Sequence, residues 1–205
     1  MVIGVIDVPR FPHSAWSILP SLQGILDGLI VRDKEGLAPS VKSTALKIRE
    51  IAPALPLWIN SYVSVALSLP ADGLALPANS APAASLRSIW HKPIMASVHT
   101  LDELAYHQGA DYYLWGHAFV STSKPGLAPR SWSDLRQIVL QASAPVLVIG
   151  GITQDNVQAF RGMGIYGVCL SDGLWHEDNP IAACEKIKSH LHSSYPNSPG
   201  GTPCD

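Results

Sequence analysis

Short runs of apolar residues recur along the chain, and each ends in small or polar residues. Eight of these runs are nearly continuous in apolar side chains rather than alternating, and they lie at residues 2–6, 26–31, 57–59, 73–76, 94–98, 112–115, 146–149 and 167–170. Strands of a parallel sheet are buried on both faces and have this pattern. The sequence therefore predicts eight buried strands.

Segments between these runs place apolar residues on one helical face. The spacing i, i+4, i+7, i+11 predicts amphipathic helices, and it is found at Val41, Ala45, Ile48 and Ala52. Two similar sets comprise Trp132, Leu135, Val139 and Ala142, and Ile181, Cys184, Ile187 and Leu191. Capping signals predict that helices start after Thr100, Ser131 and Asn179.

The alternation of eight strands with helices predicts a single-domain (β/α)8 barrel, also called a TIM barrel, over residues 1–192. An open doubly wound sheet is the alternative, but no GxGxxG segment follows the first predicted strand, which weakens that alternative. The segment 193–205 is rich in Ser, Pro and Gly and is predicted to be a disordered tail.

Composition narrows the class of protein. Apolar residues make up 47% of the 205 residues and charged residues 15%, which excludes a disordered chain. The net charge of −2 argues against a nucleic-acid partner, and no apolar run approaches the ~18 residues of a membrane span. Three scattered cysteines predict neither a disulfide framework nor a structural zinc site. The N-terminus lacks the features of a signal peptide, so we expect a cytoplasmic protein.

Functional groups of a (β/α)8 barrel lie at the carboxyl ends of its strands. Gly150 and Gly151 follow the seventh predicted strand, and Ser171, Asp172 and Gly173 follow the eighth. Glycine lets backbone N–H groups approach an anion closely, and the loops after strands 7 and 8 are the usual phosphate site of this fold. These residues therefore predict a phosphate site, whereas a tight turn with no ligand is the simpler alternative.

The loop after the sixth predicted strand begins with His117 and also contains Ser121, Ser123 and Lys124. An imidazole with its usual pKa of ~6.5 suits proton transfer near neutral pH. A single histidine is more often a surface or satisfied core residue, but its position at a strand end favours a catalytic role for His117. Lys124 and the hydroxyl groups suit an anionic substrate.

Other strand ends offer further candidates. Arg32 and Lys34 follow the second strand, where they either bind an anion or are solvated charges, with a rim ion pair to Asp33 as a further possibility. His99 follows the fifth strand, and we expect it only to stabilise the turn that opens the next helix.

Several motifs together resemble one known superfamily. They are the segments 97–103 (SVHTLDE), 109–112 (GADY), 116–126 (GHAFVSTSKPG) and 145–152 (PVLVIGGI). They resemble the thiamine phosphate synthase/TenI superfamily, with similarity over most of the chain that is densest at residues 94–174. The resemblance implies the same barrel and a homodimer.

The two branches of this superfamily differ at three strand ends. Synthases join a pyrimidine diphosphate to a thiazole phosphate, and acidic residues after strands 3 and 4 hold Mg²⁺ on the diphosphate. This chain has Ser61 where an acid is expected and Leu76-Pro77 in place of the acidic segment, although Mg²⁺ needs carboxylate oxygens. Leu76-Pro77 and Gly116-His117 resemble the TenI branch instead.

The resemblance thus implies a thiazole tautomerase of thiamine biosynthesis, an isomerase that needs neither cofactor nor metal. It would convert a 2-carboxy-4-methylthiazole ethyl phosphate tautomer into its aromatic form, with His117 carrying the proton. The residues expected to bind this substrate are Arg32, Lys34, Asn60, Ser97, Ser121, Ser123, Lys124, Gly150, Gly151, Ser171, Asp172 and Gly173. The alternatives are a divergent thiamine phosphate synthase and a non-catalytic regulator that binds a thiazole or thiamine phosphate.

Overall fold

A computed structural model describes residues 1–192. Eight parallel strands pair in sequence order and close into a barrel. They are β1 (Val2–Asp7), β2 (Gly28–Arg32), β3 (Leu57–Asn60), β4 (Gly73–Leu76), β5 (Ile94–Val98), β6 (Tyr112–Gly116), β7 (Val146–Ile149) and β8 (Gly167–Leu170). Because β8 pairs with β1, the predicted (β/α)8 barrel is confirmed and the open sheet is wrong. The predicted disordered tail lies outside the described residues.

Helices cover the outside of the barrel. The α-helices are α1 (Ala38–Ile51), α2 (Val63–Leu67), α3 (Ala83–Leu86), α4 (Leu101–Tyr106), α5 (Trp132–Gln141), α6 (Asp172–Trp175) and α7 (Pro180–His192). Three 3₁₀ helices span Val8–Arg10, His13–Leu22 and Val157–Phe160. Within residues 1–192, no helix combines the length and the apolar content that crossing a membrane requires.

The predicted helix faces pack on the barrel with one shift. Val41, Ala45, Ile48 and Ala52 are all fully buried, as the spacing predicted for α1. On α5 the buried residues are Leu135 and Ile138, while the predicted Trp132 and Val139 only border the core. The apolar stripe of α5 is therefore rotated toward Ile138, since several residues of this helix are apolar and only packing selects among them.

The predicted helix starts are confirmed by capping bonds. The Thr100 side chain accepts the Glu103 N–H, and the Ser131 side chain accepts the Ser133 N–H. The Asn179 side chain accepts the Ala182 N–H, directly before Pro180 at the first position of α7. Each bond satisfies an N–H group that the first turn of a helix leaves without a partner.

The barrel interior is closed at the end where the strands begin. Trp58 fills this end, and a Cβ atom at Gly73 would lie 2.2 Å from the Trp58 ring. Glycine at position 73 is thus required by the indole opposite. The interior is open at the other end, which we call the mouth: the carboxyl ends of the strands and the loops after them.

The closed end carries a repeated ionic arrangement that we call the lower rim. Asp27, Asp72 and Asp111 each directly precede an even-numbered strand, and each carboxylate accepts the N–H of the first residue of the strand before it. Each also pairs with a cation from an outer element: Lys188, Arg49 and Arg87 respectively. The lower rim therefore satisfies the strand starts and balances its own charge.

Candidate functional site

A cavity of about 820 Å³ lies at the mouth of the barrel. Its floor is apolar and comes from side chains inside the barrel: Val5, Ile30, Ala75, Leu114, Ile149 and Cys169. Burial raises the pKa of the Cys169 thiol to about 12, so the floor carries no thiolate at neutral pH. All thirteen residues predicted to form the site line this one cavity. Closure of the barrel brings these residues together at the mouth.

His117 is the first residue after β6, follows a cis peptide bond and is 6% exposed. Its Nε2 lies 3.4 Å from the carbonyl oxygen of Leu127. A carbonyl oxygen only accepts, so Nε2 is the donor in this contact. Within residues 1–192, Nδ1 has no hydrogen-bond partner. His117 therefore lines the cavity with an imidazole whose Nδ1 is buried and unpartnered among residues 1–192.

The two glycines after β7 have a packing role that the sequence did not reveal. Gly150 and Gly151 have φ angles of +106° and +65°, a region that favours glycine. A Cβ atom at Gly150 would lie 2.4 Å from the His117 Cβ, and one at Gly151 would lie 2.3 Å from the Val120 oxygen. The loop after β6 therefore rests directly on these glycines, which are needed whether or not an anion binds beside them.

Arg32 has a different ionic partner from the one considered in the sequence. Its Nη2 donates to the carboxylate of Asp7 at 3.0 Å, and Asp7 is 4% exposed. Asp33 instead accepts hydrogen bonds from the Ser40 hydroxyl and the Glu35 N–H. The possible ion pair of Arg32 with Asp33 is thus wrong, because the β1–β2 pairing places Arg32 opposite Asp7.

Two lysines of the cavity wall crowd other cations. The Lys34 Nζ donates to the backbone oxygen of Ser123 at 3.0 Å. Burial, and then the nearby Arg32 guanidinium, lowers the pKa of Lys34, and burial followed by Arg130 and Arg32 lowers the pKa of Lys124. Neither lysine forms a salt bridge to a carboxylate in the part of the chain that the structure describes. This excess of positive charge favours an anionic ligand.

Among the cavity-wall residues that sequence reasoning missed are two ionisable ones, His99 and Glu103. His99 was expected only to fix a turn, and its N–H does donate to the Glu103 carboxylate. Its ring also lines the cavity, with Nδ1 3.6 Å from Glu103 Oε2. Burial is the largest cause that lowers the pKa of His99, so the ring is neutral at neutral pH. Its place one residue after β5 was the available signal.

Another missed residue, Arg10, connects three loops. Its guanidinium donates to Asp172 at 2.7 Å, to the Thr122 hydroxyl at 2.6 Å and to the Ser123 hydroxyl at 3.0 Å. The Thr122 hydroxyl also donates to the Asp172 carboxylate. We call these four residues the loop bridge. It ties together the loops after β1, β6 and β8, and nothing local in the sequence links Arg10 to Asp172.

Carboxylates around the cavity are sparse. Glu103 and Asp172 line it, and Asp172 is already engaged by the loop bridge. No group of three or more His, Cys, Asp or Glu side chains within residues 1–192 is arranged to hold a metal ion. The polar groups that remain suit binding of an anion and transfer of a proton.

Comparisons with known proteins agree with this architecture. The family model described as "Thiamine monophosphate synthase" (TMP-TENI) matches residues 14–174. The chain is 30% identical over 167 residues to the thiamine-phosphate synthase of Clostridium botulinum (strain Eklund 17B / Type B), covering 78% of each chain. It is 33% identical over 178 residues to that of Desulfitobacterium hafniense (strain Y51), covering 83% of this chain and 86% of the relative.

A solved structure shares the fold. Thiamine phosphate pyrophosphorylase from Pyrococcus furiosus superposes with a TM-score of 0.78 at 23% identity, covering 94% of this chain and 96% of that one. The match to the family model over most of the chain, together with relatives at 30% identity or more, confirms the resemblance drawn from the sequence motifs. The chain belongs to the thiamine monophosphate synthase (TMP-TENI) family.

Proposed function

We propose that this member of the family is a thiazole tautomerase of thiamine biosynthesis. It would convert the 2-carboxy-4-methylthiazole ethyl phosphate tautomer into the aromatic thiazole. The observation that carries the proposal is His117, a buried imidazole in the cavity wall whose Nδ1 has no partner in residues 1–192. An acid–base group placed beside an anion-binding cavity is what such an isomerase requires.

The reaction moves protons and leaves the heavy-atom framework unchanged. One proton leaves C2 of the dihydrothiazole, and one arrives at the exocyclic carbon of the double bond, so that the ring becomes aromatic. Nδ1 of His117 would take the first proton, and the resulting imidazolium would supply the second. Positioned acid–base groups contribute about 10²–10⁴-fold to the rate.

The rest of the cavity would bind the two anionic ends of this substrate. Lys34 and Lys124 supply positive charge without a carboxylate partner of their own, and Arg32 adds a third cation. The backbone around Gly150-Gly151 and the segment 171–173 would hold the phosphate, as sequence reasoning proposed. Asn60, Ser97, Ser121 and Ser123 would complete the polar wall, while the apolar floor would meet the ring.

A thiamine phosphate synthase is the second candidate, and the relatives cited above support it because they carry that name. The cavity volume also leaves room for more than one small ring system. The side chains present do not fit Mg²⁺ on a diphosphate, however. Ser61 stands where the resemblance expects an acid, the segment Leu76-Pro77 is not acidic, and Asp172 is bound to Arg10. Mg²⁺ depends on such carboxylates.

The deciding experiment measures formation of the aromatic carboxythiazole phosphate in the presence of EDTA. We expect wild-type activity under these conditions, and we expect His117→Asn to lose about 10²-fold or more in kcat with a small change in KM. His107→Asn is the matched control, because His107 is also buried and bonded to a backbone oxygen but lies outside the cavity lining.

Three outcomes would contradict the proposal. Full activity of His117→Asn would assign the proton transfer to another group. Formation of thiamine phosphate from the pyrimidine diphosphate and the thiazole phosphate with Mg²⁺ would establish the synthase. Binding of the thiazole phosphate with neither reaction would indicate a regulator.

A further inference from the structure

We propose that Arg10 is a positioning residue for phosphate binding: it neutralises Asp172 and holds its carboxylate aside, so that a dianion can bind next to it. This inference rests on the phosphate site of the proposed function. It concerns Arg10 of the loop bridge, a residue to which none of the sequence motifs pointed.

Asp172 creates the difficulty that Arg10 would solve. It lies between Ser171 and Gly173, in the segment proposed to bind the phosphate, and it lines the cavity. A carboxylate beside a phosphate dianion repels it, and the repulsion is strongest where water is partly excluded. A phosphate site with an unpaired aspartate in its centre would therefore bind weakly.

The geometry shows how the charge is compensated. Asp172 Oδ2 accepts hydrogen bonds from Arg10 Nη2 and from the Thr122 hydroxyl, so this oxygen is directed at these two residues. Arg10 itself is absent from the cavity lining. Its guanidinium reaches Asp172 from the end of the 3₁₀ helix Val8–Arg10. Arg10 would thus act on the ligand through Asp172 rather than by contact.

A purely structural role for Arg10 makes a different prediction. If Arg10 only held the loops together, its loss would disorder the mouth, and no change at Asp172 would repair the damage. If Arg10 compensates charge, removing the opposite charge repairs it. The net charge of the pair is zero in the wild type, −1 in Arg10→Ala, +1 in Asp172→Asn and zero again in the double variant.

The experiment measures the Kd of 4-methyl-5-hydroxyethylthiazole phosphate by calorimetry. This probe carries the phosphate and the ring but cannot tautomerise, so binding is measured apart from catalysis. We expect Arg10→Ala to weaken binding about tenfold and Asp172→Asn to strengthen it about threefold, the range expected for one nearby charge that is partly screened. The double variant should return to within about threefold of the wild type.

The control is Arg87→Ala. Arg87 forms a comparable half-exposed ion pair with Asp111, at the lower rim. We expect the Arg87→Ala variant to bind the thiazole phosphate probe with the same Kd as the wild type.

The possible failures are distinguishable. If the wild type does not bind the probe, the proposed function fails and this inference with it. If the wild type binds it and Arg10→Ala binds equally well, only the inference is overturned. A double variant as weak as Arg10→Ala also overturns it, since that result identifies a structural tie.

Discussion

Ionic side chains are arranged differently at the two ends of this barrel. At the lower rim, Asp27, Asp72 and Asp111 each hold a strand N–H and a cation, so every charge is paired. At the mouth, Lys34 and Lys124 line the cavity without a salt bridge in the described residues, and their pKa values are lowered by burial and by neighbouring cations.

This difference separates stability from function within one fold. Pairing at the lower rim ties strand starts to the outer elements and leaves no charge for a ligand. The mouth tolerates unfavourable crowding of cations, which an anion would relieve. In barrels of this type, the end where the strands begin contributes mainly to stability, and the end where they finish carries the functional groups.

The largest effect is expected at the mouth. Lys124→Ala should weaken binding of the thiazole phosphate about tenfold, the loss expected for one charge-assisted contact of roughly 1.5 kcal/mol. The melting temperature should change little, because Lys124 has no structural ion pair. Calorimetric titration and thermal unfolding measure the two quantities. Lys42→Ala, which removes an exposed charge from α1, is the control.

That prediction fails if Lys124→Ala lowers stability and leaves the affinity unchanged. Lys124 would then stabilise the fold, as the cations of the lower rim do, rather than bind a ligand.

An effect of similar size but of the opposite kind, on stability rather than on binding, is expected at the lower rim. Asp72→Ala removes the acceptor of the Leu57 N–H and the partner of Arg49. We expect the free energy of unfolding to fall by about 1–2 kcal/mol, the cost of leaving such a donor unpaired. Urea denaturation measures this value, and the Kd for the thiazole phosphate should stay constant.

Glu185→Ala, which removes a carboxylate from an exposed position of α7, should leave the free energy of unfolding within about 0.5 kcal/mol of the wild type. A change in ligand affinity in Asp72→Ala would break the division between the two ends.

The smallest effect concerns pH. Because burial lowers the pKa of His99 below its usual 6.5, the folded protein binds fewer protons at this site than the unfolded chain does. Stability is therefore retained above about pH 6.5 and is lost as the pH falls from there through the folded pKa. His99→Asn should reduce the acid sensitivity of the urea midpoint in this window and leave the midpoint above it nearly unchanged. An identical pH profile in both proteins would contradict this view of His99.

Much of the fold could be predicted because its signals are local. Each strand of a parallel barrel is buried on both faces, so an apolar run marks it without knowledge of its neighbours. All eight predicted runs coincide with β1 to β8 within two residues at either end. The shift of the buried stripe on α5 shows the limit, because Ile138 and Val139 are equally apolar and only the neighbouring elements select between them.

The candidate site was predictable in position but not in its interactions. Strand ends identified thirteen residues that line the cavity, since barrel closure places all strand ends at one mouth. The glycines after β7 illustrate what was hidden. Glycine is required both where an anion approaches the backbone and where another segment of backbone does. Only the contacts with His117 and Val120 show that Gly150 and Gly151 are needed for close packing of the loop after β6.

The sequence by itself determined the number, order and type of the strands, three of the helix starts, and the family to which the chain belongs. Only the tertiary structure decided the charge partners. Asp7 pairs with Arg32 across 25 residues and Arg10 with Asp172 across 162, and neither pair has a spacing that a local pattern encodes. The physical reason is range: burial and capping act within a few residues, whereas these two ion pairs exist only once β1 lies beside β2 and beside β8.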